Sequence, residues 1–409
     1  MAGDRDRDAQ LAVLGACVAI FFPGALTFGF PGVMASIWQE MFHVGRAATG
    51  LTIFFMLAAV GAFMFLVGRW QERWGLRRMI ALGIILTAFA SLVVSEAGTI
   101  YVVYAWAFIN GLASSFVYVP ALTLVQWCFP KRRGLVAGLV SMVFGLSAAI
   151  MSPLFAGMFS AFGYQRMNLL MAALTLTIGL LGAYFARAPQ AWEDAASVRR
   201  AGSAAKPTAV IVSARSFTVS ESLHTRSFWL LWATWTFAGA AGVSMTILAA
   251  EYGLFLGFSL PSAILILTAF NLTNGMSRLL SGILSDRFGR NPVMSLAFLT
   301  AAFAYFILPW ARSLEVCALL AAVVGFSFGT LFSVSAPLVA DCFGLEHFGA
   351  IFGLTFAAYG FVAGPLGPTL SGYLLDVTGD NFFLVFLYLG VFSMLASICI
   401  RRVVPPQRS

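Results

Sequence analysis

The sequence predicts an all-α, polytopic membrane protein with twelve transmembrane helices in two pseudo-symmetric six-helix bundles. Hydrophobic residues make up 60% of the 409 residues and charged residues only 10%, which is the composition of a membrane protein. The apolar residues are grouped in runs of about 20, long enough to cross a bilayer as helices. Segments of the first half also recur in the second half at a constant distance, which indicates an internal duplication.

Twelve apolar runs follow one another along the chain. They lie at 11–36, 47–67, 79–95, 99–127, 134–160, 168–186, 228–250, 261–284, 292–310, 314–340, 349–375 and 382–400. The lipid bilayer is therefore the first expected partner of the chain. An even number of spans returns both termini to the same side.

Basic residues are concentrated in alternate loops. One set of loops and tails carries Arg69, Arg73, Arg77, Arg78, Lys131, Arg132, Arg133, Arg401, Arg402 and Arg408. The other set carries only Arg46, Arg166 and Arg312. Because basic loops stay inside, we expect both termini in the cytoplasm and the protein in a bacterial inner membrane. This bias explains the net charge of +8, so nucleic-acid binding is not needed to account for the excess of basic residues.

One long polar segment, 187–227, interrupts the series of spans. It divides the chain into an N-terminal bundle at 1–186 and a C-terminal bundle at 228–409, and we expect it to be a cytoplasmic linker. The two bundles repeat each other. The sequence CFPKRRGLVAG at 128–138 resembles CFGLEHFGAIFG at 342–353, and the displacement is 342 − 128 = 214. A constant displacement indicates duplicated six-helix halves.

A single arginine, Arg278, lies inside the apolar run at 261–284. A guanidinium at bilayer depth costs roughly 2.5–3.5 kcal/mol and cannot lose its proton, so it needs an anionic partner. Asn274 lies four residues earlier on the same helix face and can add a neutral donor. We interpret Arg278 as a substrate-binding residue. A structural pair with a neighbouring helix and a position at the cytoplasmic surface are the open alternatives.

The sequence offers no site for enzyme chemistry. Its five cysteines are scattered without a CxxC pair, and its three histidines fall in loops. Neither set has metal-ligand spacing, and no nucleophile motif or phosphate loop is present. We therefore expect no active site, no metal and no cofactor.

The most specific motif is duplicated at two cytoplasmic turns: GRWQERWGLRR at 68–78 and GILSDRFGRN at 282–291. It resembles the loop signature of the major facilitator superfamily. Its glycines permit close helix approach, and its acids can form ion pairs that lock one state of a gate. The expected gating residues are Gly68, Glu72, Arg73, Gly75, Gly282, Asp286, Arg287 and Gly289. A role in topology alone is the alternative.

The resemblance implies two halves that rock around a central site. It implies that helices one, four, seven and ten line the cavity and that helices two, five, eight and eleven form the interface between halves. In helix one, Pro23 and Pro31 interrupt the backbone hydrogen bonds. Gly24, Gly29 and Gly32 would let a ligand approach the helix.

Within that superfamily, the segment NLTNGMSRLLSGILSDRFGR resembles helix eight of monocarboxylate porters and oxalate/formate antiporters. In those proteins the helix-eight arginine binds the substrate carboxylate, which implies this role for Arg278. Asn274 stands where many animal porters have an aspartate, and Tyr359 stands where the oxalate transporter has a lysine. A single cation suits a single carboxylate. The expected binding residues are Arg278, Asn274, Tyr118, Tyr359, Phe28, Phe30, Leu146 and Phe332.

We therefore expect a secondary active transporter of small monocarboxylates such as lactate or pyruvate, working by alternating access as a monomer. The resemblance implies that protons are co-transported with this small organic anion. An exchanger of monocarboxylates or of the oxalate/formate type is the first alternative. A receptor or channel for an organic anion is the alternative from another class, and the duplicated gate motifs count against it.

Overall fold

The computed structural model describes residues 2–129, 133–187, 217–344 and 348–406, and these form helices joined by short turns. The first half contains α1 (Ala2–Phe28), α2 (Phe30–Phe42), α3 (Arg46–Trp74), α4 (Leu76–Ser95), α5 (Ile100–Cys128) and α6 (Arg133–Phe185). The second contains α7 (Val219–Leu223), α8 (Arg226–Phe255), α9 (Leu260–Phe288), α10 (Arg290–Ile307), α11 (Leu314–Phe343), α12 (Phe348–Ala358), α13 (Leu370–Thr378) and α14 (Phe382–Arg401).

The described residues contain eleven helical segments that are long and apolar enough to cross a membrane. The segment Leu135–Phe185 breaks at Gly163, where φ is 75° and ψ is 175°, and so provides two spans. The count is then twelve, as predicted. The first span consists of α1 and α2, and the eleventh consists of α12, two π-helical turns at Tyr359–Ala363 and Pro365–Thr369, and α13.

Each half packs mainly within itself. In the first half α1 lies on α6, and α5 lies between α3 and α4. In the second half α9 lies on α11, and α14 contacts both α8 and α10. The halves meet where α9 crosses α6 and where α3 crosses the eleventh span, so spans two, five, eight and eleven form the interface, as expected.

Paired glycines mark both crossings. A Cβ at Gly145 would lie 2.7 Å from the Cα of Gly275, and a Cβ at Gly360 would lie 2.8 Å from the Cα of Gly61. The two pairs are equivalent by the sequence repeat, because 275 − 61 = 214 and 360 − 145 = 215. Small residues let membrane helices approach closely, and here they do so twice around a pseudo-twofold axis.

The bundle has two ends, which we name by their loops. The termini face contains the turns at 74–76 and 288–290 and the C-terminal segment, and the opposite face contains the turns at 42–46, 255–260 and 378–382. At the termini face, Gly75 and Gly289 have the same backbone conformation, with φ values of 85° and 89° that favour glycine. These turns lie in the duplicated motif.

The expectation that glycines of the first span admit a ligand is wrong. A Cβ at Gly24 would clash with the carbonyl oxygen of Phe144, and one at Gly32 would clash with the carbonyl oxygen of Thr246. These glycines instead let α6 and α8 pack against the first span. Most of the predicted linker, 188–216, lies outside the described residues.

Candidate functional site

A cavity of about 150 Å³ lies between the two halves. Its walls come from spans one, two, four, five, eight, ten and eleven, and the seventh span, expected at the cavity, contributes none of the lining residues. The lining consists of Thr27, Phe28, Leu57, Val60, Met64, Ser114, Ser115, Tyr118, Leu122, Phe144, Arg278, Phe332, Ala336, Phe352, Phe356 and Tyr359.

The lining follows the pseudo-twofold axis. Tyr118 and Phe332 occupy equivalent positions (332 − 118 = 214), as do Phe144 and Tyr359 (359 − 144 = 215). Arg278 is the equivalent of Met64 (278 − 64 = 214). Duplication therefore placed a cavity on the axis, and later divergence put the cation on one wall only.

Arg278 is buried, with 2% of its surface exposed. Its Nη1 donates a hydrogen bond to Ser141 Oγ at 3.0 Å, and this hydroxyl lies 3.1 Å from Tyr118 Oη. The guanidinium carbon is 4.6 Å from the centroid of the Phe332 ring, so the cation also contacts an aromatic face. None of the ion pairs found among the described residues includes Arg278.

The Nε and Nη2 atoms of Arg278 are buried and have no hydrogen-bond partner in the described part of the chain. They form one edge of the guanidinium, and this edge can hold both oxygens of a carboxylate. A Cβ at Gly145 would lie 3.3 Å from Nε, so the glycine leaves that atom without a side chain over it. A buried cation without a counter-charge is costly, and a bound anion would remove the cost.

Further polar atoms near Arg278 are also without partners. Asn271 and Asn274 are fully buried on α9, and neither their amide nitrogens nor their oxygens have partners within the described chain. They precede Arg278 by seven and four residues, which places the three on one helix face. Tyr359 Oη is likewise buried and unpartnered.

The structure brings five of the eight predicted binding residues to the cavity: Arg278, Tyr118, Tyr359, Phe28 and Phe332. Asn274 lies behind this lining. The expectation that Phe30 and Leu146 belong to an apolar lining of the cavity is wrong. Phe30 instead packs edge-on against Trp38, Trp106 and Phe155 within the first half.

Leu146 lies at the α6–α9 crossing, where a Cβ at Gly275 would be 2.6 Å from its backbone nitrogen. The sequence analysis missed Ser141, the direct partner of Arg278. A serine in an apolar run is a weak signal. The repeat could not have identified it either, because its equivalent is the apolar Phe356 (356 − 141 = 215).

At the termini face, the duplicated motif forms contacts within one half. Asp286 pairs with Arg290 at 3.4 Å, and Arg290 pairs with Asp341. Arg287 lies 5.4 Å from the centroid of Phe288. Among the described residues, no atom lies within 4 Å of a Cβ built at Gly68 or Gly282, so those residues do not make the close helix approach expected at these glycines. The side chains of Glu72 and Arg73 lie outside the described residues.

At the opposite face, polar residues connect the two halves. Gln39 Nε2 donates to Glu251 Oε1 at 2.5 Å, and Arg46 Nε lies 3.5 Å from Glu251 Oε2. Arg46 also pairs with Asp380. The backbone N–H groups of Arg46 and Ala47 donate to the Asp376 carboxylate at 2.9 and 3.0 Å. Arg46 thus contacts three carboxylates, two through its guanidinium and one through its backbone N–H.

The sequence predicts that the seventh span ends at residue 250, just before Glu251, but the helix continues past this residue. Glu251 lies inside α8, which extends to Phe255, and only 5% of its surface is exposed. Among the residues whose burial is described, Arg278 and Glu251 are the two buried charged side chains. Arg278 lines the central cavity, and Glu251 takes part in the contacts at the opposite face.

Comparisons with known proteins agree with this architecture. The family model of the Major Facilitator Superfamily matches residues 16–266 and again 230–409. The oxalate:formate antiporter of Oxalobacter formigenes is 24% identical over 308 residues, which cover 74% of this chain and 69% of that protein. Monocarboxylate transporter 13 of Rattus norvegicus is 25% identical over 395 residues, which cover 93% of this chain and 86% of that protein. These relatives are transporters.

Monocarboxylate transporter 2 of Meriones unguiculatus is 22% identical over 389 residues, covering 92% of this chain and 79% of that protein. A solved bacterial homologue of the human lysosomal transporter Spinster, inward-facing and unoccupied, superimposes with a TM-score of 0.69 at 14% identity, covering 97% of this chain and 94% of that one. This likeness concerns the fold. Because the family model spans both halves and the helices take the same arrangement, the chain is a member of the major facilitator superfamily.

Proposed function

We propose that this chain is a secondary active transporter of monocarboxylates. The observation that carries the proposal is the unpartnered Nε–Nη2 edge of Arg278 at an aromatic cavity on the axis between the halves. An anion with one carboxylate would pair with this edge and leave no second charge in a medium of low dielectric constant. The similarity to monocarboxylate and oxalate:formate transporters supports the same class of substrate.

Alternating access is the mechanism we propose. Contacts between the halves at the opposite face involve Gln39, Arg46, Glu251, Asp376 and Asp380, whereas the described ion pairs of the termini face stay within one half. This distribution fits a state that is closed at the opposite face. In this scheme, residues 1–186 and 228–409 are the two moving bodies, joined by 187–227.

We propose that the termini face is cytoplasmic. Among described residues, arginines at that face outnumber those at the opposite face, as the positive-inside rule requires. The termini face carries Arg7, Arg77, Arg78, Arg287, Arg290, Arg401 and Arg402, and the opposite face carries Arg46, Arg166 and Arg312. Protease accessibility of tags on the termini in right-side-out vesicles tests this orientation.

Counterflow in proteoliposomes tests the transport proposal. Vesicles loaded with unlabelled monocarboxylate should take up labelled monocarboxylate faster than empty vesicles, because a carrier returns faster when loaded. A channel would show no such acceleration, and a receptor would show no uptake. Uptake that is strictly dependent on internal substrate would favour the exchanger over the transporter that performs net uptake.

Asn274→Leu is expected to stabilise the empty protein and weaken ligand binding. The amide is buried without partners, so its removal relieves a desolvation cost of about 1–3 kcal/mol. Asn274 lies behind the lining but one turn from Arg278 on the same helix face, so its amide can turn toward a carboxylate bound there. Loss of that hydrogen bond should cost roughly 1 kcal/mol of binding, a several-fold rise in Kd. Thermal unfolding of the purified protein, with and without ligand, measures both effects. A lower unfolding midpoint with unchanged ligand affinity would contradict this assignment.

We propose that Glu251 carries the proton in proton-linked transport. In the opposite-face contacts it lies near Gln39, Arg46, Asp376 and Asp380, where three carboxylates are grouped around one arginine residue. Neutralising one acid would therefore favour closure of this face. Glu251 lies one turn from the end of α8 at the opposite face, whereas Arg278 lies about five turns into α9 from that face, so proton and substrate would occupy separate sites.

Glu251→Gln is expected to lose accumulation driven by an inward pH gradient while keeping counterflow, because the amide resembles a permanently protonated acid. Glu40→Gln is the matched control, since Glu40 lies on α2 but is exposed. Its accumulation should match that of the unchanged protein. Normal pH-driven accumulation by Glu251→Gln would assign the proton to another group.

A further inference from the structure

We infer that the substrate is a monocarboxylate with a bulky apolar group, aromatic or branched, rather than a two- or three-carbon acid. This inference rests on the proposed function and names the class of anion that the same cavity takes. Its support is the single charged side chain of the cavity lining, Arg278, together with the volume and the aromatic character of the apolar part of that lining.

The pseudo-symmetry allows equivalent residues of α9 and α3 to be compared. On α9, Asn271, Asn274 and Arg278 form a polar stripe. The equivalent positions on α3 are Leu57, Val60 and Met64 (271 − 57 = 214), and all three line the cavity. Of the α9 stripe, Arg278 is the residue that lines the cavity, and its charge faces the apolar residues that α3 contributes. A ligand that satisfies both has a carboxylate at one end and hydrocarbon at the other.

The hydrocarbon end has room. The cavity is about 150 Å³, and an apolar protein cavity of about 150 Å³ holds benzene. Beyond Tyr118 and Tyr359, its walls continue toward the termini face with Leu122, Phe352 and Phe356. The methyl group of lactate or pyruvate would leave most of this apolar surface without a contact.

Few polar groups of the cavity lining are available to bind a ligand. Among the lining residues, the buried polar atoms without a partner are Nε and Nη2 of Arg278 and Oη of Tyr359. Thr27 and Ser114 already hydrogen-bond to each other at 3.2 Å. One carboxylate and at most one further acceptor, such as a 2-oxo group, therefore match the cavity. A polyhydroxylated acid would bury hydroxyl groups without partners.

Binding to the purified full-length protein tests the inference with matched pairs: acetate against phenylacetate, and pyruvate against 4-methyl-2-oxopentanoate. Each buried CH₂ contributes about fourfold in affinity. We expect the larger acid of each pair to have a Kd at least about tenfold lower, measured by isothermal titration calorimetry. Phenylacetamide, which has the ring but no charge, should bind weakly, because it cannot pair with Arg278.

A variant with a smaller cavity tests whether the apolar group of the ligand binds there. Ala336→Leu fills part of the apolar wall and should raise the Kd for phenylacetate by about tenfold, with pyruvate changed less than about twofold. Ala318→Leu, on the same helix outside the lining, is the control and should leave both affinities unchanged.

The outcomes distinguish the inference of a bulky apolar group from the proposal that the protein transports monocarboxylates. If acetate and pyruvate bind as tightly as their larger counterparts, the inference is wrong and the monocarboxylate proposal stands. If none of these acids binds, the proposed function itself is wrong. If phenylacetate binding is insensitive to Ala336→Leu, the apolar group lies elsewhere and this assignment of the cavity is overturned.

Discussion

Arg278→Lys is expected to lose most substrate binding and transport. Lysine keeps the positive charge but presents one point donor instead of the planar Nε–Nη2 edge, so one of two charge-assisted hydrogen bonds to the carboxylate is lost. Such a bond contributes about 1.5–3 kcal/mol, which corresponds to a rise in Kd of roughly 10- to 150-fold. Titration of the purified variant and initial uptake rates in proteoliposomes measure the loss.

Arg312→Lys is the matched control. Arg312 is exposed in the turn before α11, outside the cavity lining and the expected gating residues, and the same substitution there should leave uptake unchanged. A second variant, Arg278→Met, separates binding from folding. It removes a buried cation without a counter-charge, so the ligand-free protein should unfold at a higher temperature while ligand no longer raises that temperature. Wild-type uptake by Arg278→Lys would remove this residue from the binding site.

Gly145→Leu is expected to destabilise the fold and stop transport. A Cβ at this position would lie 2.7 Å from the Cα and 3.1 Å from the backbone nitrogen of Gly275, and neither atom can move without displacing α9. Overpacking of this kind costs about 1–3 kcal/mol, and here it would also obstruct the contact on which the halves must rock. Thermal unfolding and counterflow measure the two effects separately.

Gly138→Leu supplies the control for Gly145→Leu. Gly138 lies two turns earlier on α6, and a Cβ there meets only the flexible Leu279 side chain, at 3.6 Å. Its uptake and unfolding temperature should remain near those of the unchanged protein. Gly360→Leu, at the equivalent crossing, should repeat the effect of Gly145→Leu. Unimpaired stability and counterflow in Gly145→Leu would show that the α6–α9 crossing is not a constraint.

The sequence by itself determined the properties that depend on local composition and on repetition. Twelve spans follow from runs of apolar residues, because a bilayer requires about 20 of them per helix. The prediction that Arg278 binds an anion follows from the cost of a charge at bilayer depth, which needs no knowledge of the neighbours. The displacement between halves predicted the pseudo-twofold arrangement that the paired glycines now display.

Only the tertiary structure decided which side chains meet. The rotation of the first span directs Phe28 to the cavity and Phe30 into the first half, although only Gly29 lies between them. Ser141 reaches Arg278 because α6 and α9 cross at Gly145 and Gly275. Glu251 is buried because Gln39 and Arg46 of the other half cover it. Such contacts depend on how helices cross and rotate, and distant parts of the chain set both.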